Sequence, residues 1–204
     1  MISESFTAGP PGIIAISGAT GLIGRALATR LASHGHTVRR LLRSAKALGA
    51  GDIMWDPSRD LLRPQDLAGV TAVIHLAGEP VAQRWTAERK AAIRDSRVQG
   101  TALLARTIAA LDGARPVLLS GSAVGFYGDR GDELLDESSP PGTGFLASVC
   151  QEWEAATQPA SDAGARVVHL RTGVVLDPAG GALEKVLVPF RLGAGGPIGS
   201  GCNG

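Results

Sequence analysis

Seven residues near the start of the chain, GATGLIG at residues 18–24, form a glycine-rich motif with the spacing GxxGxxG. In such a motif Gly18 permits a tight turn, Gly21 lets the backbone approach a pyrophosphate, and Gly24 lets the next helix pack closely on the preceding strand. A helix that begins here offers free N–H groups and the positive end of its dipole to phosphates. We therefore expect a dinucleotide to contact Gly18, Thr20, Gly21, Leu22, Ile23 and Gly24.

The residues after this motif indicate which dinucleotide is bound. An NAD site usually places Asp or Glu about 20 residues beyond the glycines, where the carboxylate holds the ribose 2′-hydroxyl. Residues 25–51 contain no acidic residue, but they contain Arg39, Arg40, Arg43 and Lys46. Arg43 falls at the predicted end of the second strand, where a guanidinium can grip a 2′-phosphate. Arg39 or Arg40 is expected to be a solvated surface charge, and the sequence favours NADP as the cofactor.

Other chemically active residue types predict no second site. Cys150 and Cys202 have neither the spacing of metal ligands nor that of a disulfide framework, so no metal is expected. His75 lies inside an apolar stretch, which predicts a packed, hydrogen-bonded histidine rather than a base. The acidic pairs at 132–133 and 136–137 are predicted to be solvated loop charges. Glu154 is predicted to be a surface carboxylate beside a packed tryptophan.

Alternating strands and helices are predicted to position the glycine motif. Short apolar runs indicate strands, and apolar residues at helical spacing indicate helices. The strands are predicted at 13–16, 36–42, 53–55, 70–76, 116–120 and 166–176, and the helices at 22–33, 86–111, 145–156 and 183–192. The third of these helices must kink or end before Pro159. Strands separated by helices form parallel βαβ units, so we predict an α/β, doubly wound parallel-sheet Rossmann fold.

The charge balance indicates a small-molecule partner rather than a macromolecular one. The chain has 20 basic and 19 acidic residues, a formal net charge of +1, which gives no basic surplus for nucleic acid or an anionic membrane. No apolar run approaches the ~18 residues of a membrane span. Residues 1–12 lack the basic and apolar regions of a signal peptide, so a cytoplasmic location is expected. The sequence predicts no oligomeric state.

Beyond the glycine motif, several stretches give the chain a family resemblance. It resembles the epimerase family proteins, an atypical extended group of short-chain dehydrogenases/reductases that is similar to nucleoside-diphosphate-sugar epimerases. The matching stretches occur in the family's order at 18–24, 55–57, 73–80, 96–97, 120–128, 153–154, 171–176 and 189–192.

The resemblance implies further NADP contacts. Leu42 and Arg43 flank the adenosine ribose, and Arg97 approaches the cofactor from a helix. The three residues Leu76, Ala77 and Gly78 line the cofactor after the fourth strand, and Val175 touches its nicotinamide end. These positions agree with the general rule that ligands of open α/β sheets bind beyond the carboxyl ends of the strands.

The resemblance also reveals a departure in the catalytic residues. Ordinary members of the superfamily use a Tyr-x-x-x-Lys pair, in which the tyrosine transfers a proton and the lysine assists it. Phe145 and Val149 occupy those positions here, and the chain contains no Tyr-x-x-x-Lys. Ser122 and Tyr127 remain as candidates to donate a hydrogen bond to a substrate carbonyl. The alternatives are a strand-end turn hydroxyl for Ser122 and a partly buried ring with a satisfied hydroxyl for Tyr127.

The family's domain plan implies two parts. Residues 12–176 are predicted to form the NADP-binding Rossmann domain, and residues 177–204 the start of a truncated substrate-binding region, because relatives continue for roughly another hundred residues. Three functions stay open. The first, which the resemblance favours, is an NADP-dependent oxidoreductase or epimerase that acts on a sugar nucleotide or small carbonyl compound by hydride transfer. The others are an NADP(H)-binding sensor or regulatory protein without turnover, and an inactive fragment.

Overall fold

A six-stranded parallel sheet forms the centre of the computed structural model, which describes residues 9–178, 180–193 and Gly196. The strands are β1 (Ile13–Ser17), β2 (Thr37–Leu42), β3 (Ile53–Met54), β4 (Val70–His75), β5 (Val117–Ala123) and β6 (Val167–Thr172). They lie in the order β3-β2-β1-β4-β5-β6, and every pairing is parallel. The carboxyl ends of all six strands therefore meet at one edge of the sheet.

Helices cover both faces of this sheet. They are α1 (Leu22–Ser33), α2 (Ala87–Ala109), α3 (Phe145–Ala155), α4 (Gln158–Asp162) and α5 (Gly181–Arg191). Alternate side chains of β1 point to opposite faces of the sheet, as the two-residue period of a strand requires. Ile14 and Ile16 pack with Leu27 of α1, whereas Ala15 belongs to the core cluster that contains Leu104 of α2. The predicted doubly wound α/β fold is confirmed.

The ends of the last two strands differ from the prediction. β5 runs on to Ala123, and β6 stops at Thr172 instead of continuing to residue 176. The two strands pair up to the Ala123–Thr172 position, after which the chain of β5 turns into a 3₁₀ helix at Val124. β6 ends there because β5 offers it no further partner. A separate two-residue strand, β7 (Leu176–Asp177), follows and bridges to residues 180 and 181.

Pro159 separates two helices, as the sequence predicts. α3 ends at Ala155, and α4 begins at Gln158 with the proline in its first turn. Proline is tolerated there because the first N–H groups of a helix have no partner within the helix. The break is confirmed, but the short helix α4 is not among the predicted elements.

Some predicted features lie wholly or partly outside the described residues. These are the N-terminal stretch before Gly9 and, within the predicted region 177–204, residues 179, 194–195 and 197–204. Helix α5 is the described part of that region, and its Val188 and Phe190 are exposed. Within the described ranges, no helix has both the length and the apolar character needed to cross a membrane.

Candidate functional site

The glycine motif forms the turn between β1 and α1, and sterics require glycine at two of its positions. Gly18 has a φ of +70°, in the left-handed region. A Cβ on Gly18 would lie 2.8 Å from the carbonyl carbon of Leu76. A Cβ on Gly24 would collide with the carbonyl oxygen of Gly18 and lie 2.8 Å from the Cα of Ala19. The turn therefore presses against the end of β4 and against the start of its own helix.

The N-terminus of α1 is open for an anion. Gly21 precedes the helix with extended backbone, no side chain caps it, and its first turn contains no acidic residue. Thr20, Gly21 and Ile23 are exposed, and Leu22 is half-buried. The N–H groups of the first turn have no partner within the helix, and no carboxylate neutralises the positive end of its dipole. This arrangement is the one that phosphates use at helix N-termini.

A cleft of about 410 Å³ lies at the carboxyl ends of β2, β3 and β4. Its lining includes Arg43, Trp55, Asp56, Ala77, Gly78, Glu79, Ser96 and Gln99. Arg43 directly follows β2 and is exposed. Across the described part of the chain, its guanidinium forms neither a salt bridge nor a hydrogen bond. We call this space the Arg43 cleft.

The neighbouring arginines of β2 are held by the protein itself. Arg40 donates through Nε and Nη2 to both carboxylate oxygens of Asp52, at 3.0 and 2.5 Å. Arg39 donates through Nε to the carbonyl oxygen of Gly51 at 2.7 Å. The side chain of Arg40 is 42% exposed, so it is a surface charge, as expected for Arg39 or Arg40, although Asp52 pairs with it. Asp52, the first acidic residue after the motif, is occupied by Arg40, whose hydrogen bond lowers the pKa of this carboxyl group.

A second cleft, of about 310 Å³, lies directly against the glycine turn. Its lining includes Gly18, Gly21, Leu22, Leu76, Gly121, Ser122, Trp153 and Val175. We call it the Ser122 cleft. Leu76 lines this cleft and the next residue, Ala77, lines the Arg43 cleft. The two clefts therefore adjoin at the end of β4, with the open end of α1 beside them.

Arg97 of α2 holds the chain segment that follows β4 by hydrogen bonds to backbone carbonyl groups. Its Nη1 donates to the carbonyl oxygens of Glu79 and Ile93, both at 3.0 Å, and its guanidinium lies 5.2 Å from the ring of Trp153. A Cβ on Gly78 would lie 3.1 Å from the guanidinium carbon of Arg97. Burial lowers the pKa of Arg97. The carbonyl oxygens of Glu79 and Ile93 hold the guanidinium of Arg97 against the backbone. Its contact with a cofactor remains a prediction.

The catalytic candidates Ser122 and Tyr127 belong to one hydrogen-bonded network. Ser122 Oγ donates to Glu154 Oε1 at 2.6 Å. Arg171 donates through Nε and Nη2 to the two oxygens of Glu154, both at 2.8 Å. The Nη1 of Arg171 donates to the hydroxyl oxygen of Tyr127 at 2.9 Å, and its guanidinium stacks 3.6 Å from the ring of Phe126. Ser122 is 3% exposed and Tyr127 is 9% exposed.

Glu154 lies at the centre of this network, so its prediction as a surface carboxylate is wrong. Its side chain is only 10% exposed. Burial alone would raise the pKa of Glu154, but the hydrogen bonds from Arg171 and Ser122 outweigh burial and hold it below the ordinary value. The ionised carboxylate therefore accepts the hydrogen bond that the Ser122 hydroxyl donates, which leaves the lone pairs of that hydroxyl available as acceptors. The sequence signal was Arg171 itself, because an arginine within the strand Val167–Thr172 needs an acidic partner.

Three other positions agree with their sequence interpretations. His75 is fully buried and hydrogen-bonded to Ser17, as a packed histidine should be. Asp136 is exposed and accepts hydrogen bonds from Ser138 and Ser139, which makes it a loop carboxylate. Phe145, whose ring offers no proton, packs edge-on against the ring of Trp85, with 5.2 Å between ring centroids.

Together, the parallel sheet, the glycine turn and the two adjoining clefts define a Rossmann-like α/β protein of the nucleotide-binding class. The family model of the NAD dependent epimerase/dehydratase family matches residues 14–182, and the chain belongs to this family. An epimerase family protein of Mycobacterium tuberculosis is 44% identical over 190 residues, which cover 93% of this chain and 62% of that relative. The human epimerase family protein SDR39U1 is 36% identical over 192 residues, which cover 92% of this chain and 63% of the human protein. The chain thus spans less than two thirds of the length of these relatives.

Solved structures give the same assignment. The nucleoside-diphosphate sugar epimerase from Corynebacterium glutamicum superposes with a TM-score of 0.81 at 44% identity, over 94% of this chain and 40% of that chain. The crystal structure of human SDR39U1 with NADPH superposes with a TM-score of 0.81 at 35% identity, over 93% of this chain and 63% of that chain. The predicted resemblance to the epimerase family proteins is confirmed.

Proposed function

We propose that this chain binds NADP(H) and forms the cofactor-binding part of an oxidoreductase or epimerase, which acts on a sugar nucleotide or small carbonyl compound by hydride transfer. The observation that carries the proposal is the exposed guanidinium of Arg43, without a salt bridge among the described residues, at the end of strand β2, which pairs with the strand β1 that leads into the open N-terminus of α1. Similarity to a human protein solved with NADPH supports it.

We assign the two ends of the dinucleotide to different clefts. In our assignment the turn at 18–24 receives the diphosphate, and Arg43 receives the 2′-phosphate beside the adenosine. The nicotinamide end goes to the Ser122 cleft, which Val175 also lines. Bound NADP would supply the hydride chemistry, while residues of this chain bind and orient.

Ser122 differs from its expected role as a donor. Because Ser122 Oγ donates to Glu154 Oε1 at 2.6 Å, it offers lone pairs rather than a proton to the cleft. We therefore assign it as an acceptor for a substrate hydroxyl group. Tyr127 accepts from Arg171 and so keeps its own proton for donation.

The specific test is a comparison of NADPH and NADH binding by calorimetry in the wild type and in Arg43→Ala. We expect the wild type to prefer NADPH and the variant to lose about tenfold to a hundredfold of that preference, the range for hydrogen bonds to a charged group. Arg30→Ala, which removes an exposed cation from the last turn of α1, should keep the preference. Equal affinity of the wild type for both dinucleotides would contradict the assignment.

A second candidate function, NADP(H) binding without turnover, is favoured by two observations. The chain contains no Tyr-x-x-x-Lys, for which the resemblance implies Phe145 and Val149 instead, and the Ser122 hydroxyl already donates to Glu154. Mixing the protein with NADPH and a panel of carbonyl compounds and sugar nucleotides separates the two functions. Oxidation of NADPH supports the enzyme, whereas tight binding with no oxidation by any compound supports the sensor.

A further inference from the structure

The side chain of Ser17 ties together the carboxyl ends of β1 and β4. Ser17 is completely buried and immediately precedes Gly18 of the glycine turn. Its hydroxyl oxygen accepts hydrogen bonds from the backbone N–H groups of Leu76 and Ala77, at 3.2 and 3.4 Å. These two residues line the Ser122 cleft and the Arg43 cleft, respectively. The N–H group of Leu76 also donates to the backbone carbonyl oxygen of Ser17 at 3.2 Å, so the hydroxyl and the carbonyl of one residue together hold the segment at which the two clefts adjoin.

His75 determines where the proton of this hydroxyl points. The Nδ1 atom of His75 lies 2.5 Å from Ser17 Oγ. A hydroxyl has one proton and two lone pairs, and here both lone pairs face N–H groups, so we assign the tautomer in which Ser17 Oγ donates to Nδ1 and Nε2 carries the ring proton. Nδ1 can accept this hydrogen bond only when the imidazole is neutral. Burial lowers the pKa of His75 to about 4, which keeps the ring neutral near pH 7.

We propose that His75 is a positioning residue of the dinucleotide site, which acts through Ser17 to fix the end of β4 against the glycine turn. The inference rests on the proposed function. The fit at this point is close, because a Cβ on Gly18 would already lie 2.8 Å from Leu76. If the Ser17 hydroxyl loses His75 as its acceptor, its proton turns elsewhere. The hydroxyl oxygen then no longer directs its lone pairs at the N–H groups of Leu76 and Ala77. Displacement of this segment then changes the walls of both clefts.

Packing alone is the alternative role for His75, and the structure shows which contacts it would use. The imidazole lies edge-on to Trp55 and to Trp153, with ring centroids 5.6 and 6.5 Å away. A role in packing depends on the size of the side chain, whereas a role in positioning depends on an acceptor at Nδ1. Asparagine and leucine have similar size, but only asparagine provides an oxygen near the Nδ1 position.

The test uses the full chain with four variants: His75→Asn, His75→Leu, Ser17→Ala, and Ser17→Ala combined with His75→Leu. NADPH affinity is measured by calorimetry, and stability by urea unfolding. We expect His75→Leu to weaken NADPH binding about tenfold, the effect of one hydrogen bond, and Ser17→Ala to weaken it at least as much, because it removes the hydroxyl from all its partners. The double variant should bind no more weakly than Ser17→Ala alone, because His75 acts only through the hydroxyl that this substitution removes. His75→Asn should restore most of the affinity.

The results separate this inference from the function it rests on. A wild type that binds neither NADPH nor NADH overturns the proposed function, and the inference falls with it. A wild type that binds NADPH, with a folded His75→Leu variant of equal affinity, overturns the inference alone. The inference is also overturned if the losses of NADPH affinity add up in the double variant, or if His75→Asn binds NADPH as weakly as His75→Leu. If His75→Leu does not fold, unchanged affinity in Ser17→Ala decides against the inference.

Discussion

Gly24 shows how a missing side chain determines the geometry of the glycine turn. Any Cβ at this position would collide with the carbonyl oxygen of Gly18. This oxygen belongs to the backbone, so it can move only if the whole turn changes its conformation. We predict that Gly24→Ala lowers the free energy of unfolding by about 1–3 kcal/mol, the usual cost of overpacking. NADPH binding should weaken in the same variant, because the turn must open to relieve the collision. Urea unfolding and calorimetry measure the two effects.

Gly173→Ala is the matched control, since a Cβ there meets no atom within 4 Å. Its stability should stay within about 0.5 kcal/mol of the wild type, as for most surface substitutions. A Gly24→Ala protein with the stability of the control would show that the helix start adapts without strain.

At the scale of elements, the buried pair of Glu154 and Arg171 connects α3 to the edge strand β6. We predict that Glu154→Ala lowers the free energy of unfolding by about 2–4 kcal/mol, because it leaves the Arg171 charge, 19% exposed, without its carboxylate. Glu152, on the same helix, pairs with Arg94 at 2.6 Å, but its side chain is 42% exposed. Glu152→Ala should cost less than about 1 kcal/mol.

Urea unfolding of these two alanine variants provides the comparison. Similar losses in both would mean that the Glu154 network contributes no more than an exposed ion pair. The comparison is well matched because the two glutamates are two positions apart on α3 and each pairs with an arginine of another element.

Short-range patterns predicted most of the elements, whereas contacts between distant parts of the chain were not predictable. The buried strand at Ile13–Ser17 and the turn after it are encoded by consecutive residues, so apolar runs and glycine spacing predict them. Ser122 and Glu154 are 32 residues apart, and Tyr127 and Arg171 are 44 residues apart. Their meeting depends on how α3 packs beside β5 and β6. The end of β6 has the same origin, since the neighbouring strand β5 sets it.

At the scale of the whole molecule, the neutral His75 makes stability depend on pH. The unfolded chain protonates this residue near its ordinary pKa of 6.5, whereas the folded protein does so only near 4. The unfolded state therefore binds more protons as the pH falls through this window, and stability decreases. We predict a total loss of about 3 kcal/mol between pH 7 and pH 4 from this residue. Urea unfolding at several pH values measures the slope.

His75→Asn identifies the source of this slope. The variant should depend less on pH than the wild type above about pH 5, where the carboxylates with lowered pKa values are still ionised. A smaller slope should remain, because burial also lowers the pKa of His169. A wild type equally stable at pH 7 and pH 5 would rule out a buried neutral imidazole.

The positions of the indole rings give the protein a built-in optical reporter. Trp55 lines the Arg43 cleft, Trp153 lines the Ser122 cleft, and Trp85 is 42% exposed outside both linings. In a Trp85→Phe background, tryptophan fluorescence would come only from the indoles that line the two clefts. An adenosine fragment such as 2′,5′-ADP should then perturb emission from one indole, and nicotinamide mononucleotide emission from the other. The occupancy of each half of the site becomes visible without any label.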